Sequence, residues 1–203
     1  MRVGILGAGP VGQTLAAKLR ELGHGVTIGT RTPRDGAVSY ADAASSGEML
    51  VNATSGHVSL DALGAAGAEN LAGKLLVEVS NALDFSHGFP PTVGVATDDS
   101  VAERIQQAYP DAKVVKALNT VNADVMVDPA KVPGEHVVFV CGNDEGAKLQ
   151  VVELLGSFGW PSPRIVDLGD ITGARAAELY VALWVRLMSN LGSPHFNIAL
   201  QQA

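Results

Sequence analysis

The sequence of 203 residues is poor in cysteine, in aromatic residues and in clusters of basic residues. Its single cysteine, Cys141, excludes an internal disulfide and a cysteine-rich metal site, and we predict no bound metal. The formal net charge is −7 and no basic run could follow a phosphate backbone, which argues against a nucleic-acid partner. No apolar run is long and charge-free enough to span a bilayer, and Met1 leads directly into an apolar segment. We therefore expect no membrane association, no signal peptide and a soluble, cytoplasmic protein.

A glycine-rich turn, Gly7 to Gly12, lies between an apolar segment at residues 2–6 and a segment with helical apolar spacing at 11–22. In a strand–turn–helix unit of this kind the first glycine allows a tight bend, the second lets a pyrophosphate approach and the third lets helix and strand pack closely. The phosphates then bind free N–H groups at the helix N-terminus. A purely structural turn is the alternative, but a second strand-like segment at 26–29 favours a dinucleotide site.

The end of the second predicted strand indicates which dinucleotide is bound. An NAD site commonly has Asp or Glu here, which accepts hydrogen bonds from the ribose 2′-hydroxyl. This chain instead has Thr30, Arg31 and Arg34, which supply a hydroxyl and two guanidinium groups suited to a phosphate. Two arginines in a loop are often only solvated charges. Their position and the missing carboxylate favour NADP(H) over NAD.

Strand-like and helix-like segments alternate along the rest of the chain, and hydrophobic residues make up 47% of it against 17% charged, as in a buried parallel sheet. Strands are predicted at 2–6, 26–29, 49–54, 74–80, 113–118 and 136–141. This pattern predicts an α/β fold: a Rossmann doubly wound parallel sheet with a small C-terminal helical part. Asn143 is expected to cap the helix after the last of these strands.

Polar side chains follow three of the predicted strands, in clusters at 54–57, 80–82 and 119–122. Ligands of such sheets bind beyond the carboxyl ends of the strands. Hydroxyl and amide groups there can hold the nicotinamide carboxamide and ribose and can orient a second substrate. Each cluster alone could be a helix cap or a turn. Three together predict a site.

The connection at residues 82–98 is longer than most in compact domains, and such loops are usually functional or disordered. Phe85 and Phe89 could cover a planar ring, while Asp84 and His87 could exchange a proton and are the catalytic candidates. The alternative is a surface loop pinned by its aromatic residues. Histidines near such a site, here His57 and His87, more often position a ligand than act as acid or base.

A helix is predicted at 173–191 that is apolar nearly all round, with Arg175, Glu178 and Arg186 as its charged residues. A chain of this length cannot easily cover every face of a terminal helix, so we predict a homodimer through it. Burial within one subunit is the alternative. Trp184 could form a wall of the substrate pocket. We expect a nucleotide-binding domain at 1–165 and a helical segment at 166–203 that completes the substrate pocket and forms the dimer interface.

These motifs together resemble the coenzyme F420-dependent NADP oxidoreductase family. The resemblance rests on residues 1–12, on Gly-Thr-Arg at 29–31, on Val-Lys-Ala-Leu-Asn-Thr at 115–120 and on Asp-Leu-Gly-Asp-Ile-Thr at 167–172, and it covers almost the whole chain. It implies a dimeric Rossmann protein that passes a hydride between the nicotinamide C4 of NADP(H) and C5 of the deazaflavin F420. No protein acid or base is needed, because apposing two rings is the main task.

The resemblance also implies site residues. NADP contacts are expected at Gly7, Gly9, Pro10, Val11, Gly12, Thr30, Arg31, Arg34, Thr54, His57 and Asn81, and Ser55 joins them from its strand-end cluster. F420 contacts are expected at Asn119, Val121, Ile171 and Thr172. Two other functions are compatible with the residues: an NADPH-dependent reductase of a small carbonyl or imine compound, which would need a proton donor, and a non-catalytic NADP(H)-sensing protein.

Overall fold

The computed structural model describes residues 1–94 and 97–202, and its centre is an eight-stranded sheet flanked by helices. The strands of the chain are β1 Arg2–Leu6, β2 Gly25–Thr30, β3 Val38–Ser39, β4 Met49–Asn52, β5 Leu75–Glu78, β6 Leu83–Asp84, β7 Thr92–Val93, β8 Lys113–Ala117, β9 Val138–Gly142 and β10 Ile165–Asp167. Strands β6 and β7 form a separate small hairpin.

The strand order in the sheet is β10-β9-β8-β5-β4-β1-β2-β3. All neighbouring strands are parallel except β8 and β9, which are antiparallel. The predicted Rossmann-type α/β fold is confirmed, with the last two strands, β9 and β10, reversed relative to the other six. The reversal follows from the connection between β8 and β9, which contains only short helical turns. A parallel crossover would need a helix long enough to carry the chain back to the end of the sheet at which β8 begins.

Eight α-helices lie among the described residues: α1 Pro10–Glu21, α2 Tyr40–Ser46, α3 Ser59–Ala66, α4 Ala68–Leu71, α5 Val101–Ala108, α6 Ala123–Val127, α7 Glu145–Ser157 and α8 Ala174–Leu191. The sequence located α1 and α8 to within one residue at each end. Single-turn 3₁₀ helices join several elements, including Ile171–Gly173 before α8.

The predicted cap of α7 is wrong. The N-cap is Asp144, whose side chain accepts the N–H of Ala147 at 2.7 Å. A carboxylate is favoured there because it meets the positive end of the helix dipole. The side chain of Asn143 instead accepts the N–H of Ile171 at 3.0 Å, so it joins the sheet to the segment before α8.

The two faces of the sheet bury two apolar clusters. One contains Leu15 and Leu19 of α1 with Val151 and Leu155 of α7. The other contains residues of α2, α3 and α5. Strands β1, β4 and β5 contribute to both clusters, as expected for strands buried on both faces.

Helix α8 is buried on one side only. Its buried residues are Ala174, Ala177, Glu178, Val181 and Val185. Leu183 is 53% exposed and Leu191 59%, so the chain itself leaves part of this apolar helix uncovered. The strand β10 spans the predicted domain boundary at 165/166, a boundary that stays a prediction.

Within residues 1–94 and 97–202, no helix has both the length and the apolar character needed to cross a membrane. The cytoplasmic location expected from the sequence stays a prediction.

Candidate active site

The glycine turn combines two glycines that the fold requires with one that it does not. Gly7 has φ +117°, and a Cβ there would lie 2.5 Å from the carbonyl oxygen of Ala53. A Cβ on Gly12 would clash with the carbonyl oxygen of Gly7. A Cβ on Gly9 would meet no atom within 4 Å. The space in front of Gly9 is therefore open for a ligand.

The N-terminus of α1 points toward that open space. Gly9 is its N-cap, so no side chain caps the first N–H groups, and the first turn contains no acidic residue. Pro10 occupies the first helical position, where a missing N–H costs nothing. Free N–H groups and the helix dipole together favour an anion such as a pyrophosphate.

An open groove of about 880 Å³ lies along the end of β2, and we call it the arginine groove. It is lined by Thr30, Arg31 and Arg34, among others. The hydroxyl oxygen of Thr30 is buried and has no hydrogen-bond partner in the described part of the chain. Among residues 1–94 and 97–202, neither arginine forms a salt bridge. Unpaired donors at this position fit a 2′-phosphate.

Two further cavities continue from the arginine groove. A middle cavity of about 500 Å³ shares Arg31 with the groove and Gly7 and Gly9 with the turn. An inner cleft of about 640 Å³ shares Ala53, Thr54 and Ser55 with the middle cavity. The three cavities thus form one path from the arginines past the glycine turn. This shape fits an extended dinucleotide whose phosphorylated ribose lies at the arginine end.

The inner cleft brings together all three polar clusters predicted at the strand ends. It is lined by Pro10, Val11, Ala53, Thr54, Ser55, Val79, Ser80, Asn81, Leu83, Phe85, Asn119, Val121, Asn122, Ala123, Met126, Val181 and Trp184. These described lining residues carry hydroxyl, amide and apolar groups and no titratable side chain.

Two asparagines brace each other at the floor of the inner cleft. The amide of Asn119 donates to the side-chain oxygen of Asn81 at 3.0 Å and to the carbonyl oxygen of Ala177 at 2.9 Å, and the amide of Asn81 donates to the carbonyl oxygen of Asn119 at 2.8 Å. Leu118, just before, has φ +64°, a conformation that non-glycine residues rarely adopt and that is often found at functional sites. Asn119 therefore joins Asn81 to α8.

Besides Gly12, which packs against the carbonyl oxygen of Gly7, three predicted binding residues are absent from the lining of the path. His57 lines a separate small cavity of about 120 Å³ together with Gly94 and Arg104. Ile171 is 7% exposed and belongs to the apolar cluster under α2, α3 and α5. Thr172 is exposed, and its hydroxyl donates to Asp170. The structure brings none of these three to the inner cleft.

The two candidate proton donors also lie outside the lining of the inner cleft. The N–H of Ser86 donates to Asp84 at 2.8 Å, and this hydrogen bond holds the pKa of Asp84 below its ordinary value. This shift disfavours Asp84 as a proton donor at neutral pH, and its catalytic role stays a prediction. His87 is exposed. Of the aromatic residues in the loop at 82–98, Phe85 lines the inner cleft. Residues 95 and 96 of this loop lie outside the described part of the chain.

The sequence reasoning missed three charged residues buried beneath the cleft: Glu78, Lys116 and Glu178. A signal for them exists in the sequence. Glu78 ends an otherwise apolar strand, Lys116 stands between apolar residues of β8, and Glu178 is the one acidic residue of an apolar helix. Charged residues in such positions are almost never fully buried unless they are paired, so each predicts a partner.

Comparison with known proteins agrees with this geometry. A family profile described as NADP oxidoreductase, coenzyme F420-dependent, matches residues 2–82. A crystal structure from Arthrobacter sp. FB24, of a protein provisionally assigned as an F420-dependent NADP-reductase, is 48% identical with a TM-score of 0.94, and all of both chains is covered. This chain belongs to the coenzyme F420-dependent NADP oxidoreductase family. The predicted family is confirmed.

Two curated relatives are longer than this member of the F420-dependent NADP oxidoreductase family. Rat (Rattus norvegicus) metalloreductase STEAP3 is 30% identical over 95% of this chain, and the F420-dependent NADP reductase of Methanocaldococcus jannaschii is 33% identical over 59% of it. The chain spans 38% of the first relative and 52% of the second.

Proposed function

We propose that this protein is an NADP(H)-dependent oxidoreductase that transfers a hydride between the nicotinamide and a second planar redox carrier, with coenzyme F420 as the leading candidate. The observation that carries the proposal is the inner cleft, whose described lining residues include no titratable side chain. Such a cleft suits a transfer between two rings, which needs orientation and exclusion of water more than a protein acid or base.

The cofactor side of the site would act by binding. The N–H groups at the start of α1 hold the pyrophosphate, and Thr30, Arg31 and Arg34 hold the 2′-phosphate. Thr54, Ser55 and Asn81 line the inner cleft and would hold the nicotinamide ribose through their hydroxyl and amide groups. When bound, NADPH supplies the hydride from its nicotinamide C4.

The second-substrate side would act by enclosing a flat ring. Phe85, Val121, Val181 and Trp184 form apolar walls of the inner cleft. The indole N–H of Trp184 is buried and has no hydrogen-bond partner in the described part of the chain. Two of these walls come from α8, which supports the expectation that residues 166–203 complete the substrate pocket.

The test is a spectrophotometric assay of NADPH oxidation at the nicotinamide absorption band. Coenzyme F420, a flavin, a ferric chelate and a panel of small carbonyls and imines are added one at a time. Oxidation by F420 or by another planar carrier supports the proposal. Turnover confined to carbonyls or imines would assign the reductase alternative, and tight NADPH binding with no turnover would assign the sensor.

The pH profile of the same assay separates ring-to-ring transfer from reduction of an imine or carbonyl. A cleft without a protein acid predicts a single-turnover rate that stays nearly flat from about pH 6 to about pH 8, because the described lining of the inner cleft carries no titratable side chain. A rate that falls tenfold per pH unit toward alkaline pH would reveal a protein proton donor and would contradict the proposal.

We also propose a homodimer through α8. Leu183 and Leu191 are more than half exposed on this helix, and covering them would remove apolar surface from water. Sedimentation velocity should show a dimer, and Leu183→Glu combined with Leu191→Glu should yield a folded monomer. A monomeric wild-type protein would refute this assignment.

A further inference from the structure

Three ionisable side chains are buried together beneath the inner cleft, and we call them the buried triad. Glu78 ends β5, Lys116 lies in β8 and Glu178 lies in α8, and they are 0%, 1% and 1% exposed. The ammonium of Lys116 lies 2.9 Å from Glu178 Oε1 and 3.5 Å from Glu78 Oε1. Burying charges is costly even when they are paired, so a triad that contributed only stability would be a poor arrangement.

The buried triad holds both backbone polar groups of Ser80, which belong to the two peptide units that flank its Cα. Lys116 Nζ donates to the carbonyl oxygen of Ser80 at 2.7 Å, and the N–H of Ser80 donates to Glu78 Oε1 at 2.7 Å. Hydrogen bonds to charged groups are about twice as strong as neutral ones. Since Ser80 and Asn81 line the inner cleft, the triad determines where this part of the cofactor-side wall lies.

The same triad reaches the opposite wall through Glu178. This residue lies on α8 just before Val181 and Trp184, which line the inner cleft. Its carboxylate also accepts the N–H groups of Val101 at 2.9 Å and Ala102 at 3.2 Å, at the start of α5. One lysine therefore connects the strand end on the cofactor side to the helix on the second-substrate side.

We propose that Lys116 is a positioning residue that sets the separation of the two walls of the inner cleft, acting through the carbonyl of Ser80 and the carboxylate of Glu178. The inference rests on the proposed function, because it concerns the fit of the nicotinamide half of NADP(H). Lys116 touches neither substrate, since it is sealed beneath the cleft.

The chain offers a matched control in Lys148. This lysine is 4% exposed, lies 2.9 Å from Glu145 and 2.8 Å from Asp167, and donates to the carbonyl oxygen of Gly169 at 3.3 Å. It thus has the same kinds of partner as Lys116. None of its partners lines the inner cleft, the middle cavity or the arginine groove.

The test compares two ligands. NADPH has a nicotinamide, whereas adenosine 2′,5′-bisphosphate has only the phosphorylated adenosine end. The double variant Lys116→Met with Glu78→Gln removes one positive and one negative charge, so the formal charge of the triad stays the same. By calorimetry we expect NADPH affinity to fall roughly tenfold, as for loss of one well-placed hydrogen bond, and bisphosphate affinity to stay within about twofold. Lys148→Met should change neither affinity.

An equal change in both affinities of the double variant would overturn the inference, as would a selective loss of NADPH affinity in Lys148→Met. Should the double variant fail to fold, Glu178→Gln keeps an acceptor for the start of α5 while weakening the ion pair, and we expect NADPH affinity alone to fall roughly threefold. An unchanged ratio of the two affinities there would also overturn the inference. A wild-type protein that binds neither ligand would refute the proposed function itself, and this inference with it.

Discussion

The two halves of the proposed site are built in different ways. The cofactor half comes mainly from one continuous stretch, β1, the glycine turn, α1 and β2, within the first thirty-four residues. The second half, the inner cleft that would enclose the nicotinamide and the second substrate, is assembled from the ends of β4, β5 and β8, the loop at Phe85, the start of α6 and one side of α8. The first half depends on local backbone geometry, while the second depends on long-range contacts that hold separate elements in place.

This difference means that substitutions in the cofactor half should act through one or two atoms, with large and separable effects. Substitutions in the second half should be graded, because several elements share the work of enclosing the ligand. Variants of the two halves can test that contrast, from the largest expected effect to the smallest.

The largest expected effects come from two glycines of the same turn. Gly12→Ala should destabilise the fold by about 3 kcal/mol or more, because its Cβ would clash with the carbonyl of Gly7. Gly9→Ala should leave stability unchanged, since its Cβ meets nothing within 4 Å, but should weaken NADPH binding severely by filling the space for the pyrophosphate. Urea unfolding and NADPH titration measure the two effects. Equal behaviour of the two variants would contradict the division between structural and ligand-facing glycines.

Next in size is the loss of Arg31. Arg31→Ala should weaken NADPH binding roughly a hundredfold, the value of one or two charge-assisted hydrogen bonds, and should leave NADH binding nearly unchanged. Arg20→Ala is the control: this arginine lies in the same groove but donates to the carbonyl of Val26 at 3.3 Å. If both cofactors lost affinity equally, the 2′-phosphate assignment would be wrong.

Smaller, graded effects are expected for Trp184. Trp184→Ala should raise the KM of the planar acceptor roughly tenfold, from lost ring contact, with little change in NADPH affinity. Trp184→Phe keeps an aromatic wall, so its KM should lie between those of Trp184→Ala and the wild type. Phe196 stacks on Trp184 with ring centroids 5.4 Å apart, so Phe196→Ala should act in the same direction but more weakly. An unchanged KM in all three would remove Trp184 from the proposed site.

The smallest effect concerns the ion pair between Glu103 of α5 and Arg175 of α8. Hydrogen bonds from Arg175 hold the pKa of Glu103 below its ordinary value. A carboxyl whose pKa is lower in the folded state stabilises the fold above its unfolded pKa, and this stability is lost as the pH falls through the folded pKa. Arg175→Ala should therefore lower the urea midpoint slightly at neutral pH, and the difference from wild type should vanish in acid. A difference that persists in acid would show that the pair contributes through packing instead.

Much of the fold and of the cofactor half could be predicted from the sequence, since both depend on local patterns. The run at 2–6, the glycine spacing and the helical spacing after it are constrained by neighbours in the chain. The reversed direction of β9 could not be predicted in the same way, because it depends on how the chain travels between two strands. Strands as short as β3 and β10 carry too few residues to show a period.

Only part of the inner cleft could be predicted from the sequence. The strand-end clusters containing Thr54, Asn81 and Asn119 do meet in one cleft, because the carboxyl ends of parallel strands share an edge of the sheet. Ile171 and Thr172 do not reach it, since a 3₁₀ turn places one in the core and the other in solvent. Their position depends on how the segment before α8 docks, which no local pattern reveals.

The sequence by itself determined the dinucleotide turn, the hydroxyl and guanidinium donors at Thr30 and Arg31 and the α/β class, because each follows from residues close together in the chain. Only the tertiary structure decided that Lys116 meets Glu78 and Glu178, and that α8 closes the cleft. The physical reason is that a buried charge must find its partner in space, and in this protein the partner of Lys116 on α8 lies far from it in the sequence.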